Sequence, residues 1–431
     1  MLQRIKIRSF GPVEVAELDV TDVIILNGVQ SSGKSTIAKS IYFFKSLPET
    51  LYQYLISKED PEQDLTKELV IACRKRLMEF FGTTKHLDGF FLEYQYAPEI
   101  HITIQYETRS GHARVNFSNK LFKGLRDAAK KIQQYRAGAR LDKPRDFSSL
   151  QAIRAEQMRF YQSIRRELKL LFHESRDMLY IPAGRSLVTT LSEELREIES
   201  FQFDPLMKEF VSRICLLRGD FTQELEAIIE DRKKLTAMPI DFQRVDAVKV
   251  LIAQILKGRY RVENGEERIL LDDGNYIKIR FSSSGQQEAL WILHLIFLAV
   301  LEGQPTFSVL EEPEAHLYPM TQYQVIKLIA LFLGAEKNQA IITTHSPYVM
   351  AAINTLLVAH QAGIKNPQQA ARIVDRRAWL DGNNLSAYFV GNGRIYNIYD
   401  HNTGIIDPQF IDRASEKINN DFDQLLEIVQ P

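Results

Sequence analysis

Val23-Ile24-Ile25-Leu26-Asn27 runs straight into Gly28-Val29-Gln30-Ser31-Ser32-Gly33-Lys34-Ser35-Thr36. Val23 to Leu26 form a continuous apolar run of the kind that suits a strand buried on both faces. The next eight match GxxxxGK[ST], whose glycines let backbone N–H groups curl around a phosphate. Beyond them Ile37, Ala38, Ile41 and Tyr42 recur at helical spacing. Strand, glycine loop and helix therefore follow one another directly, and the helix N-terminus adds positive potential at the loop. Gly28, Ser31, Ser32, Gly33, Lys34, Ser35 and Thr36 are the candidate nucleotide-binding residues. Lys34 would reach the outer phosphates, and the Ser35 hydroxyl would hold Mg2+.

Two further strands carry chemistry. Thr306-Phe307-Ser308-Val309-Leu310 ends in Glu311-Glu312-Pro313. Adjacent carboxylates at a strand end can divide the work, Glu311 holding Mg2+ and Glu312 polarising the attacking water. Ile341-Ile342-Thr343-Thr344 ends in His345-Ser346-Pro347. Just before the acidic strand, Ser282-Ser283-Ser284-Gly285-Gln286-Gln287-Glu288 opens the apolar helix that runs to Leu301. Small residues at a helix start make an anion site, although the same residues also read as a helix cap.

Ser283, Ser284, Gly285 and Gln286 resemble the LSGGQ signature of ABC ATPases, departing from it at Ser284. With the opening KIRSFGPVE, LEEPEAHLYP and TTHSP, the set resembles the prokaryotic OLD/RecF/SMC-like ABC ATPases over roughly residues 1–115 and 245–431. The resemblance implies an α/β fold, an ABC-type P-loop ATPase head with a mixed sheet and a helical insertion. It implies ATP and Mg2+ as ligands, His345 as the switch histidine, and a homodimer or higher homo-oligomer in which the signature loop acts in trans. It leaves the Q-loop glutamine open between Gln95 and Gln105. Tyr180-Ile181-Pro182-Ala183-Gly184-Arg185-Ser186 also resembles the family, without a role that can be derived for Arg185.

The expected division is 1–115 and 246–431 as the two parts of the head, with 116–245 as a helical, basic insertion. Within the first part the pattern gives strands around one helix. Hairpins are expected at Asp273-Gly274 and Asn392-Gly393, and a polar helix from about Asp412 to Val429. Between Ser118 and Ser175 stand fourteen Lys and Arg against six Asp and Glu, interleaved with Tyr135, Phe160 and Tyr161. Lys130, Lys131, Arg165 and Arg166 are the candidate face there, for nucleic acid or for an acidic protein partner.

Composition narrows the rest. The 431 residues are 45% apolar and 25% charged with a net charge of -1, average for a globular protein and unsuited to whole-molecule attraction to nucleic acid. Cys73 and Cys215 make neither a disulfide framework nor a CxxC site. The Ala289–Leu301 run, interrupted by His294, is shorter than the roughly 20 residues of a membrane span and reads as a buried helix. A cytoplasmic protein without a membrane partner is expected. The stretch after His345 lacks the acidic cluster of a TOPRIM nuclease, so control of a co-encoded effector such as a nuclease is the expected role, in anti-phage defence or DNA maintenance. A RecF-like clamp acting on DNA is the alternative, and a transporter subunit a weaker one.

Overall fold

The computed structural model describes residues 2–83, 87, 89–106, 112–139, 147–190, 204–235, 240–335, 337–411 and 413–429. Strands β1 (Gln3–Phe10) and β2 (Val13–Val20) pair antiparallel, burying Ile5, Ile7 and Phe10 of the first strand. All five residues of β3 (Val23–Asn27) are buried. Helix α1 (Lys34–Ser57) follows the glycine loop, then α2 (Leu65–Phe81), β4 (Phe91–Ala97), β5 (Ile100–Gln105) and β6 (Arg114–Phe117). Two long helices come next, α3 (Asn119–Ala139) and α4 (Phe147–Leu171).

After them stand β7 (Asp177–Ile181), α5 (Arg185–Thr190), α6 (Pro205–Leu217), α7 (Leu225–Leu235) and α8 (Phe242–Leu256). Strands β8 (Arg259–Glu263), β9 (Glu266–Leu270) and β10 (Tyr276–Lys278) make a small antiparallel sheet. The chain continues with α9 (Ser284–Glu302), β11 (Thr306–Glu311), α10 (Pro319–Leu333), β12 (Gln339–Thr344), α11 (Pro347–Lys365), β13 (Leu385–Gly391) and β14 (Arg394–Asn397).

These elements cluster into two units. Unit 1 comprises Met1–Thr21, Ser31–Met178 and Asn392–Ile395. Its strands run in the order β6-β5-β4-β1-β2, antiparallel throughout. Their buried face meets α1 and α2 through aromatic packing, with Tyr94 of β4 at 5.3 Å from Phe44 of α1 and Phe10 of β1 at 4.8 Å from Phe81 of α2. Helix α2 was not expected from the sequence. Leu65, Leu69, Ala72, Cys73, Leu77 and Phe80 supply its buried stripe, but polar residues between them dilute the periodic signal.

Unit 2 comprises Asp22–Gln30, Leu179–Gly391 and Tyr396–Pro431. Here β13, β3, β12 and β11 are parallel neighbours in that order, with β7 beside β11. Parallel strands need helices on their faces, and α9 is the most deeply buried of them, with Ala289 to Leu298 enclosed throughout. By length and composition α9 would pass for a membrane span, yet 78% of that window is inside the protein. Its apolarity serves the core. Strand β7 lies within the stretch expected to be a helical insertion, because Leu179, Tyr180 and Ile181 form a buried apolar run. The Asp273-Gly274 turn joins β9 to β10 as expected, and a 3-10 turn, Ile279–Phe281, follows β10. Asn392 and Gly393 both have positive φ, as a tight turn between β13 and β14 requires. The C-terminal helix spans Arg413–Val429.

Candidate functional site

Three parallel strands of unit 2 end together, since register pairs Asn27 with Thr344 and Glu311 with Thr343. The carboxyl ends of such strands are where ligands bind in open α/β sheets. Asn27 caps its own exit, its Oδ1 accepting from the Gly28 N–H at 2.8 Å. Downstream, Gly33 precedes α1 with φ 106°, a left-handed conformation, and an added Cβ there would stand 2.7 Å from the Val13 side chain. Glycine is thus required twice over. The first ladder bond of α1 runs from the Ile37 N–H to the Gly33 carbonyl at 3.0 Å, so the N–H groups of Lys34, Ser35 and Thr36 precede the ladder. Lys34 is buried, Ser31 and Ser35 are exposed, and the Ser32 hydroxyl is buried without a hydrogen-bond partner.

At the end of β11, Glu311 is buried. Its Oε2 accepts from the Ala183 N–H at 3.4 Å, while Oε1 has no hydrogen-bond partner. An orphaned carboxylate oxygen at this position fits a cation, and Mg2+ commonly takes one or two protein oxygens, with phosphate and water completing its shell. Glu312 turns sharply, with φ 43°. Its carboxylate hydrogen-bonds His345 Nε2, and His345 Nδ1 lies 3.1 Å from the Gly28 carbonyl oxygen. The histidine thereby links the first glycine of the loop to the second acid. The Glu314 carboxylate accepts from the Thr344 hydroxyl at 2.6 Å and the His345 N–H at 3.1 Å. Burial pushes its carboxyl above the usual range, against those hydrogen bonds.

The start of α9 is closed by a capping box. Ser283 accepts from the Gln286 N–H at 3.3 Å, and Gln286 Oε1 accepts from the Ser283 N–H at 3.1 Å. Gln286 Nε2 also donates to the Leu256 carbonyl at 2.7 Å, so both side chains are engaged within this chain. Ser284 begins the helix proper. Gly285 is needed for packing, because a Cβ there would lie 2.9 Å from the His316 carbonyl oxygen. The cap and the anion-site readings are thus both compatible with the same residues.

Sequence reasoning missed the partners of Arg185. This side chain is completely buried, and it meets Glu288, four residues beyond Ser284 on α9. A charged residue next to each motif, Arg185 after Pro182-Ala183-Gly184 and Glu288 ahead of an apolar run, was the available signal. The Q-loop question stays as the sequence leaves it: Gln95 lies in β4 and Gln105 ends β5.

The four basic candidates are exposed on α3 and α4 of unit 1. Lys131 pairs with Glu167 at 2.6 Å, Arg165 with Glu49 at 2.7 Å, and Lys130 faces Glu62 at 3.9 Å. Tyr135 stacks on Phe160, centroids 4.0 Å apart and planes 10° from parallel, with Tyr161 edge-on to Tyr135. The interleaved aromatics hold the two helices together, and three of the four cations already face a carboxylate. Arg140, Lys143 and Arg145 lie outside the described residues.

The AAA ATPase domain family model matches residues 1–350. The chain belongs to that family, and it is an ATP-binding ATPase whose order of loop, signature helix, acidic strand and histidine strand is that of an ABC-type head. No curated protein matches the sequence. Among solved structures it is similar to the SMC head domain from Thermotoga maritima, 13% identical with a TM-score of 0.39, covering 92% of this chain and 98% of that one. It is also similar to an SMC head bound to the C-winged helix domain of ScpA, 11% identical, TM-score 0.43, covering 93% and 98%. A third is the recombination mediator protein RecF, 10% identical, TM-score 0.35, covering 92% and 98%.

Proposed function

We propose that the chain is a regulatory ATPase whose heads pair around ATP and whose closure controls a separate effector, such as a nuclease encoded alongside it, in prokaryotic defence or DNA maintenance. The link from the Gly28 carbonyl through His345 to Glu312 carries this reading, since it joins the phosphate loop to a candidate base. Lys34 and the N–H groups at the start of α1 hold the phosphates. Ser35 and Glu311 would hold Mg2+, which when bound neutralises phosphate charge. Glu312 takes the proton of the attacking water, and His345 orients that water against the terminal phosphate. Ser283, Ser284, Gly285 and Gln286 of a second copy close the site from the other side, led by the N–H groups of Ser284 and Gly285. Control of an effector is supported by the resemblance to OLD/RecF/SMC-like ATPases.

Glu312→Gln tests it. The variant should bind ATP as the wild type does, hydrolyse it roughly 10²–10⁴-fold more slowly, and accumulate as an ATP-bound dimer in light scattering. An unchanged rate would remove Glu312 from the base role.

A further inference from the structure

The guanidinium of Arg185 has no exposed surface, and its three nitrogens make four hydrogen bonds to main-chain carbonyls. Nε donates to the Glu288 carbonyl at 3.1 Å, one terminal nitrogen donates to the carbonyls of Pro182 at 2.6 Å and Glu311 at 2.7 Å, and the other to the Glu312 carbonyl at 2.9 Å. That last nitrogen also lies 3.2 Å from the Glu288 carboxylate. Four hydrogen bonds and this ion-pair contact engage all three guanidinium nitrogens. Glu288 in turn accepts from the backbone N–H groups of Arg185 at 3.2 Å and Ser186 at 3.1 Å.

Two features make this more than a buried ion pair. Glu312 sits at φ 43°, a left-handed conformation that costs a non-glycine residue about 1 kcal/mol or more and persists only when its surroundings enforce it. Its N–H is fixed by the Thr343 carbonyl at 3.0 Å and its carbonyl by Arg185, so the peptide units on both sides of the strained residue are clamped. On the other flank, Glu288 lies about one helical turn from Ser284 and Gly285. Its neighbour Gln287 donates to the carbonyls of Ile279 at 3.2 Å, Arg280 at 3.1 Å and Ser282 at 3.3 Å. The Thr189 hydroxyl of α5 donates to the Gln287 carbonyl at 2.9 Å. The signature loop, the start of α9, α5 and the acidic turn are therefore bonded in series.

We propose that Arg185 is a positioning residue which, through Glu288, couples the signature loop to the backbone of Glu311 and Glu312 and so holds the Glu312 carboxylate in its hydrolytic orientation. The proposal rests on the reading of Glu312 as the base. A second copy that engages the signature loop acts at once on the start of α9, and Arg185 carries that displacement to the acidic turn. Lysine cannot replace it, because three donors on one nitrogen cannot span carbonyls on two strand ends and a helix.

The test compares Arg185→Lys and Glu288→Gln, each alone and combined with Glu312→Gln. It reads steady-state hydrolysis, single-turnover rates, binding of a fluorescent ATP analogue and melting temperature. Glu288→Gln is nearly isosteric and decides the matter if Arg185→Lys does not fold. Each single variant should lower kcat by roughly tenfold or more while KM and analogue affinity move less than about threefold, the signature of an interaction made in the transition state. Added to Glu312→Gln, neither should slow the single-turnover rate further, because the group being positioned is already gone. Full hydrolysis in both single variants, beside a slow Glu312→Gln, overturns the coupling alone, as do losses that multiply in the double variants. A wild-type rate in Glu312→Gln brings down the base assignment, and the coupling with it.

Discussion

Among the described residues each unit buries one fully enclosed ion pair that spans a long stretch of sequence, and the two pairs are built for different ends. In unit 1, Lys45 of α1 meets Glu174, and the Glu174 carboxylate also accepts from the Arg176 backbone N–H at 3.1 Å. Burial alone would raise that carboxyl, but Lys45, with help from Arg176, holds it below the usual range. In unit 2, Arg185 meets Glu288 yet gives most of its donors to main-chain carbonyls. An ammonium serves as a point charge, whereas a planar guanidinium can set the geometry of several chain segments at once. The first pair is therefore read as architecture and the second as part of the site.

The sharpest way to break that contrast is to remove Lys45. Lys45→Met leaves Glu174 buried without its main counter-charge and should lower unfolding free energy by about 3–5 kcal/mol, measured by denaturant titration. Pairing it with Glu174→Leu should recover most of the loss, since a buried pair replaced by apolar groups is often near neutral. The hydrolysis rate of the folded fraction should stay within about twofold of wild type. A tenfold fall in kcat at full nucleotide affinity would make the Lys45 pair part of the site too.

Unit 2 also encloses an ionisable group among aromatic rings. His294 of α9 is enclosed by Phe221, Tyr260 and Trp291, its Nδ1 2.7 Å from the Leu290 carbonyl oxygen. Burial pulls its pKa from 6.5 down to about 4, against the Leu290 hydrogen bond. A depressed folded-state pKa means that the unfolded chain binds the proton first as pH falls. The stability owed to a neutral His294 is complete above about 6.5 and is lost on descent to about 4. His294→Phe should remove that slope, shifting the stability difference from wild type by about 3 kcal/mol in its favour between those pH values. Parallel pH profiles for the two proteins would show that His294 protonates as readily when folded.

These contrasts also explain what the sequence could and could not tell. The glycine loop, the acidic pair and the histidine strand are legible because each is a short contiguous run whose residue types state its chemistry. Their convergence follows from strand register, and register follows from apolar runs that must be buried. Arg185 and Glu288 lie 103 residues apart, and Lys45 and Glu174 129 apart, so no local pattern pairs them. Helix α2 and strand β7 were missed for an intermediate reason: each buries an apolar set, but polar neighbours or helical surroundings obscure its period. The basic stretch was legible as charge and illegible as surface, because Glu49 and Glu62, which neutralise part of it, come from far upstream.

The Lys131–Glu167 and Arg165–Glu49 pairs are about half exposed, so Lys131→Ala and Arg165→Ala should each cost no more than about 1 kcal/mol and leave hydrolysis unchanged. Nucleic acid is the sterner probe. A surface free to track six phosphates would lose roughly 10³-fold or more in affinity between 50 and 200 mM salt. Cations that must first leave a carboxylate contribute less than a full contact each. Fluorescence anisotropy with a labelled duplex should then show at most about a tenfold fall over that range, the slope of some two phosphates. Converting Lys130, Lys131, Arg165 and Arg166 to glutamate should change that weak retention by a similarly small factor. A 10³-fold salt dependence abolished by the same four substitutions would overturn this reading, and would make α3 and α4 a nucleic-acid surface whose ion pairs open on binding.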